Sequence, residues 1–68
     1  MRVTLNGAER AVPPGSSVAD LAAMVGVAPG ERGTAVALDG GVVPGTAWAT
    51  TIVPGGARLE VVRAVAGG

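Results

Sequence analysis

Glycine and proline divide this chain into pieces too short for anything but strands, tight turns and one small helix. There are 12 Gly and 5 Pro in 68 residues, and they fall between the apolar segments, not in a single low-complexity tract. Arg2-Val3-Thr4-Leu5 alternates polar and apolar residues. Asn6-Gly7, which follows it, is the favoured central pair of a two-residue hairpin because both positions accept positive φ. A second strand over residues 9–12 is therefore expected to fold back on the first, until Pro13-Pro14-Gly15 stops it.

Helical periodicity follows. Ser17 with Asp20 three residues later has the form of a capping box, so the helix should begin at Val18. Val18, Leu21, Ala22 and Val25 then fall on one apolar stripe, and Gly26 stands where a C-terminal glycine ends a helix. So short a helix is unstable alone and needs a sheet to cover.

Beyond a connection containing Pro29, Gly30 and Gly33, residues 34–38 form an almost wholly apolar strand expected in or near the middle of a sheet. Asp39-Gly40 marks a turn, Val42-Val43 a short returning strand, and Pro44-Gly45 its end. Residues 50–53 have β propensity, and residues 58–63 read as the final strand. In that strand Leu59 and Val61 share the face that the helix should cover, while Arg58, Glu60, Val62 and Ala64 share the other. One α+β domain accounts for the whole pattern. Trp48, the sole aromatic, is read as a plug at the edge of the core in preference to a surface anchor.

Composition excludes more functions than it suggests. A chain of this length buries only about 60% of its unfolded surface, and with so few aromatic atoms its core is Val, Leu, Ile and Ala. Five arginines balance five acids and no lysine occurs, which argues against nucleic acid as a partner. The absence of Cys and His removes disulfides, thiolate clusters and the usual transition-metal ligands, and a reducing cytoplasm fits. With no His, Lys, Cys or Tyr, the only nucleophile and base left would be Ser or Thr beside a carboxylate, and the five scattered acids give no sign of such a pair or of a paired-carboxylate site; a phosphate-binding loop would lack its lysine. Residues 40–57 are uncharged over a length near the ~18-residue threshold for a membrane span, but Pro44 and Pro54 break any helix there. No secretory leader is legible at the start of the sequence.

What remains is the end of the sequence. The last strand runs into Val65-Ala66-Gly67-Gly68, and two glycines make an arm thin enough to enter a narrow partner site, with a carboxylate as its only chemistry. In so glycine-rich a chain the Gly-Gly pair is weak evidence by itself. Val62 is either a lone exposed apolar residue or part of a partner patch leading towards the arm.

Taken together, Asn6-Gly7, Ser17-Val18-Ala19-Asp20-Leu21, Ala35-Val36-Ala37-Leu38, Val42-Val43-Pro44, Trp48-Ala49-Thr50-Thr51, Glu60-Val61-Val62 and Gly67-Gly68 resemble the ThiS family of thiamine-biosynthesis sulfur carriers, of the ubiquitin-like β-grasp superfamily. The Val-Val-Pro and Trp-Ala elements separate it from molybdopterin synthase small subunits, which share the fold and the Gly-Gly end. Two departures stand out: Gly55-Gly56-Ala57 replaces a usually acidic turn, and Ala22 stands where Leu is common.

The resemblance implies a mixed sheet of four to five strands with the helix on one face and the first and last strands as parallel neighbours. Residues 1–64 would form the β-grasp domain and 65–68 a flexible tail. It implies a protein co-substrate and not an enzyme: a ubiquitin-activating-like adenylyltransferase adenylates Gly68 with ATP, a sulfur donor enzyme converts it to a thiocarboxylate, and thiazole synthase accepts the sulfur. Val65, Ala66, Gly67 and Gly68 would enter partner active sites, with Val62 and Ala64 contacting the partner. No cofactor or metal would be held by the chain. The alternatives are a molybdenum-cofactor sulfur carrier and a ubiquitin-like protein modifier.

Overall fold

The computed structural model describes residues 1–64. Five strands form one mixed sheet: β1 (Arg2–Leu5), β2 (Ala8–Ala11), β3 (Thr34–Leu38), β4 (Gly41–Val43) and β5 (Arg58–Arg63), in the order β2-β1-β5-β3-β4. The helix α1 (Val18–Met24) covers one face. β1 and β5 are parallel neighbours, with Thr4 opposite Arg58 and Leu5 opposite Leu59, as the resemblance implies. β5 is flanked on its other side by antiparallel β3, itself one strand in from the edge.

The hairpin turn takes the form that its sequence predicts, with φ of 50° at Asn6 and 81° at Gly7. Its strand lies one residue earlier than expected, at Ala8–Ala11, because the register pairs Leu5 with Ala8 and Arg2 with Ala11. Val12 lies just past the strand and turns into the core.

Both halves of the capping box are formed: Asp20 N donates to Ser17 Oγ at 3.1 Å, and Ser17 N donates to Asp20 Oδ2 at 2.8 Å. The two helical amides before Asp20 donate outside the helix, Val18 N to Thr51 O at 2.9 Å and Ala19 N to Trp48 O at 3.0 Å. The helix start is thus satisfied by its own cap and by the segment around residues 48–51. At the other end Gly26 has φ of 79°, and Gly26 N and Val27 N donate to Ala23 O and Ala22 O. That pattern closes a helix and drops Val27 into the core.

Residues 50–53, expected to be strand-like, do not join the sheet. The Thr50 and Thr51 hydroxyls both donate to Ala47 O, holding the chain in tight turns after a single 3-10 turn at Gly45–Ala47. Only Ile52 makes a bridge, to Ser17 at the helix entrance, and Val53 N donates to Ser16 O. Trp48 is the plug expected of it: it is 2% exposed, and its indole N–H donates to Val43 O at 2.9 Å.

Val3, Leu5, Val18, Leu21, Ala22, Val36, Val53, Leu59 and Val61 form the core with Trp48. Ala22 is fully buried, so where a Leu is usual the smaller side chain is fitted and not left at the surface.

An unforeseen contact ties the first turn to the central strand. The Asn6 side chain accepts from Val61 N at 2.7 Å, beyond the point where β1 and β5 are paired. We predict that Asn6→Gly, which keeps the turn geometry but removes the acceptor, lowers stability by about 1–2 kcal/mol, whereas Asn6→Asp changes it less. Urea unfolding followed by Trp48 fluorescence measures both, and equal loss in the two variants would assign the effect to the turn alone.

Candidate functional site

β5 carries the features from which a site can be built, because period-2 alternation gives its two sides opposite characters. Leu59 and Val61 point under the helix and are buried; Arg58, Glu60 and Val62 lie on the uncovered face. Cross-strand register extends that face. Ala35 lies opposite Val62, Ala37 opposite Glu60, and Val42 of β4 opposite Ala37.

The result is an apolar strip of Val62, Ala35, Ala37 and Val42 running from the central strand to the sheet edge. Val62 is 58% exposed and Val42 78%. Of these, sequence reasoning singled out Val62 and missed Val42. The signal was present: in Gly41-Val42-Val43 one valine must face out when the other packs inward, and Val43 is half-buried against the core.

Polar groups border the strip at the β3–β4 turn. Asp39, Gly40, Arg58 and Glu60 line a shallow cleft there. Asp39 has φ of 47° and Gly40 of 85°, a second turn of the Asn6-Gly7 kind. Asp39 N donates to Arg58 O and Arg58 N donates to Asp39 Oδ1, both at 2.8 Å. Farther across the same face Arg2 pairs with Glu9.

Gly55-Gly56-Ala57 builds the entry to β5. Gly56 has φ of 80° and its amide donates to Arg2 O at 2.7 Å, while Ala57 is buried and its carbonyl accepts from Thr4 N at 2.9 Å. The replacement of acidic residues by this turn thus leaves the β1–β5 pairing intact.

At its far end β5 delivers Ala64 to the loop that follows the helix. Ala64 is exposed, and its amide donates to Gly33 O. Val62 and Ala64, both expected to meet a partner, are therefore at the surface of the described fold. Val65, Ala66, Gly67 and Gly68 lie outside the described residues.

The model of the ThiS family matches residues 3–68. The chain belongs to the ThiS family. Among solved structures it is similar to the crystal structure of the thiamine biosynthesis protein ThiS from Geobacter metallireducens, with a TM-score of 0.74 and 30% identity over 100% of both chains. No curated protein matches the chain. Among the described residues no helix is long and apolar enough to cross a membrane. The family match covers the strip, the β5 terminus and the Gly-Gly pair in one continuous span.

Proposed function

We propose that this chain is a sulfur carrier for the thiazole branch of thiamine biosynthesis, holding sulfur as a thiocarboxylate on the carboxyl carbon of Gly68. The observation that carries this reading is membership of the ThiS family over a span that includes Gly67 and Gly68. Similarity to a protein of thiamine biosynthesis along its whole length supports the pathway. The side chains present support a carrier role in another way, since no His, Lys, Cys or Tyr offers a nucleophile or base.

The chemistry then belongs to the main-chain terminus. A terminal carboxyl with a pKa of about 3.3–3.7 is ionised at neutral pH and is a poor electrophile. A ubiquitin-activating-like adenylyltransferase first joins it to AMP, with pyrophosphate leaving from ATP. The outer sulfur of a persulfide on a sulfur donor enzyme attacks the acyl carbon and AMP departs. A second thiol then takes the inner sulfur as a disulfide and frees the thiocarboxylate. Its sulfur is a soft nucleophile that thiazole synthase uses, returning the carrier as carboxylate. Nucleotide and metal stay with the partners, the chain itself holds no cofactor, and the cycle runs in the cytoplasm.

Residues 1–64 are the handle in this scheme and residues 65–68 the arm. Four extended residues at roughly 3.4 Å each reach about 14 Å, enough to enter a buried active site. The strip around Val62, continued by Ala64, is the surface on which the activating enzyme docks, with the Asp39, Arg58 and Glu60 cluster at its rim fixing orientation.

Incubation with the adenylyltransferase, ATP and the sulfur donor should raise the mass of the chain by the exchange of one oxygen for sulfur. Deletion of Gly68 should abolish that gain while leaving the fold unchanged, and retained loading by the shortened chain would refute the proposal. Sulfur transfer offered separately to thiazole synthase and to molybdopterin synthase distinguishes the two acceptors. Val62→Asp should weaken binding to the adenylyltransferase by about tenfold, or about 1.4 kcal/mol, with a smaller loss of stability. Titration calorimetry beside urea unfolding decides this, and unchanged affinity would remove Val62 from the interface.

A further inference from the structure

Arg63, the last residue of β5, makes contacts that neither the core nor the uncovered face requires. Opposite Thr34 in the register, it lies on the same side of the strand as Leu59 and Val61, but at the end where the helix has stopped. Its Nε lies 3.2 Å from Glu31 Oε2, and its Nη2 donates to Gly26 O at 2.9 Å, a carbonyl just past the helix C-terminus. Glu31 is in turn held by the loop, its Oε1 accepting from Ala28 N at 3.1 Å. Thr34 Oγ1 donates to Glu31 O. One residue further along β5, Ala64 N donates to Gly33 O. Gly33 has φ of 76°, a conformation that favours glycine, and an added Cβ there would come within 3.8 Å of Ala64 Cβ.

Loop 26–33 thus grips the end of the central strand at three points: a carboxylate, a carbonyl from the helix end and a carbonyl beside Ala64. We propose that Arg63 and Glu31 form a clasp that fixes where, and in which direction, the terminal arm leaves the sheet. Arg63 is then a positioning residue for delivery of the Gly68 carboxyl to the adenylylation site. The role rests on the carrier reading above.

The physical reason is tether length. An arm pivoting just after Ala64 spans four residues, whereas fraying of the strand end would move the pivot back into β5 and spread the carboxylate over a larger volume. The effective concentration of a tethered group falls as its flexible tether outgrows the span it must cover. An exposed ion pair contributes little to global stability. The clasp therefore acts on the order of the strand end and not on the folding equilibrium.

Arg63→Ala and the charge-exchanged double variant Arg63→Glu/Glu31→Arg test the idea in the full chain. In Arg63→Ala the Ala64 amide should exchange with solvent severalfold faster, with the urea midpoint unchanged. Pyrophosphate release by the adenylyltransferase at saturating carrier should slow severalfold, while the Kd for the enzyme stays the same. The double variant should recover part of both losses. Unchanged Ala64 exchange, or an unchanged saturated rate, overturns the clasp. Wild-type chain that releases no pyrophosphate overturns the carrier reading instead, and the exchange measurement then decides by itself whether the clasp orders the strand end.

Discussion

The hydrogen bonding of β5 is the constraint on which the rest of the fold depends. This strand is central, yet β1 is aligned with it only at Thr4–Arg58 and Leu5–Leu59 before the chain turns away at Asn6. Amides on that side would be left without acceptors, at a cost of about 1–3 kcal/mol for each buried one. Two turns supply what strand pairing does not. Asn6 continues the β1 edge: its amide donates to Leu59 O at 2.9 Å and its side-chain oxygen accepts from Val61 N. Asp39 does the equivalent on the opposite edge, where β3 ends, exchanging backbone and side-chain bonds with Arg58 at the start of the strand. Both residues hold positive φ, which Asn and Asp tolerate better than most side chains. The turn residues are thus chosen twice over, for their backbone conformation and for an acceptor aimed at β5.

A second dependence joins the helix to the irregular segment after β4. With seven residues, α1 is below the length at which an isolated helix persists in water. It is retained by burying Val18, Leu21 and Ala22 and by donating its first amides to Thr51, Trp48 and Ser17. Trp48 serves both purposes, since its ring fills the core while its carbonyl caps the helix and its indole N–H holds Val43 at the sheet edge. Helix, loop and edge strand therefore stand or fall together, although they are distant in sequence.

These two dependences mark the boundary of what was legible in the residues. Local signals read correctly: the Asn6-Gly7 and Asp39-Gly40 turns, the Ser17–Asp20 capping box, the glycine past the helix and the inward and outward alternation of β5 all depend on neighbours within a few positions. The strand order came from resemblance, because no local pattern states which strands are adjacent. Residues 50–53 were misread for a related reason. Their β propensity measures how well they would fit a half-buried pleated surface, but their backbone is committed to the helix entrance at residues 16–18 and to Ala47, to which the Thr hydroxyls also donate. The side-chain bonds from Asn6 to Val61 and from Arg63 to Gly26 span 55 and 37 residues, so their partners come together only after folding. At the candidate site, Val62 was readable from alternation, while its continuity with Val42 required the β3 register.

The same strand that needs so much outside support is the last of the described fold. The last strand is held from three directions, because β5 is paired on both sides and anchored beneath by Leu59 and Val61. The edge strand β4, three residues long and bonded on one side, has far fewer ties. Each half of the chain is a tight antiparallel hairpin, β1–β2 and β3–β4, and because β3 runs antiparallel to β5 while β1 runs parallel to it, the two hairpins flank β5 with β2 and β4 at the edges.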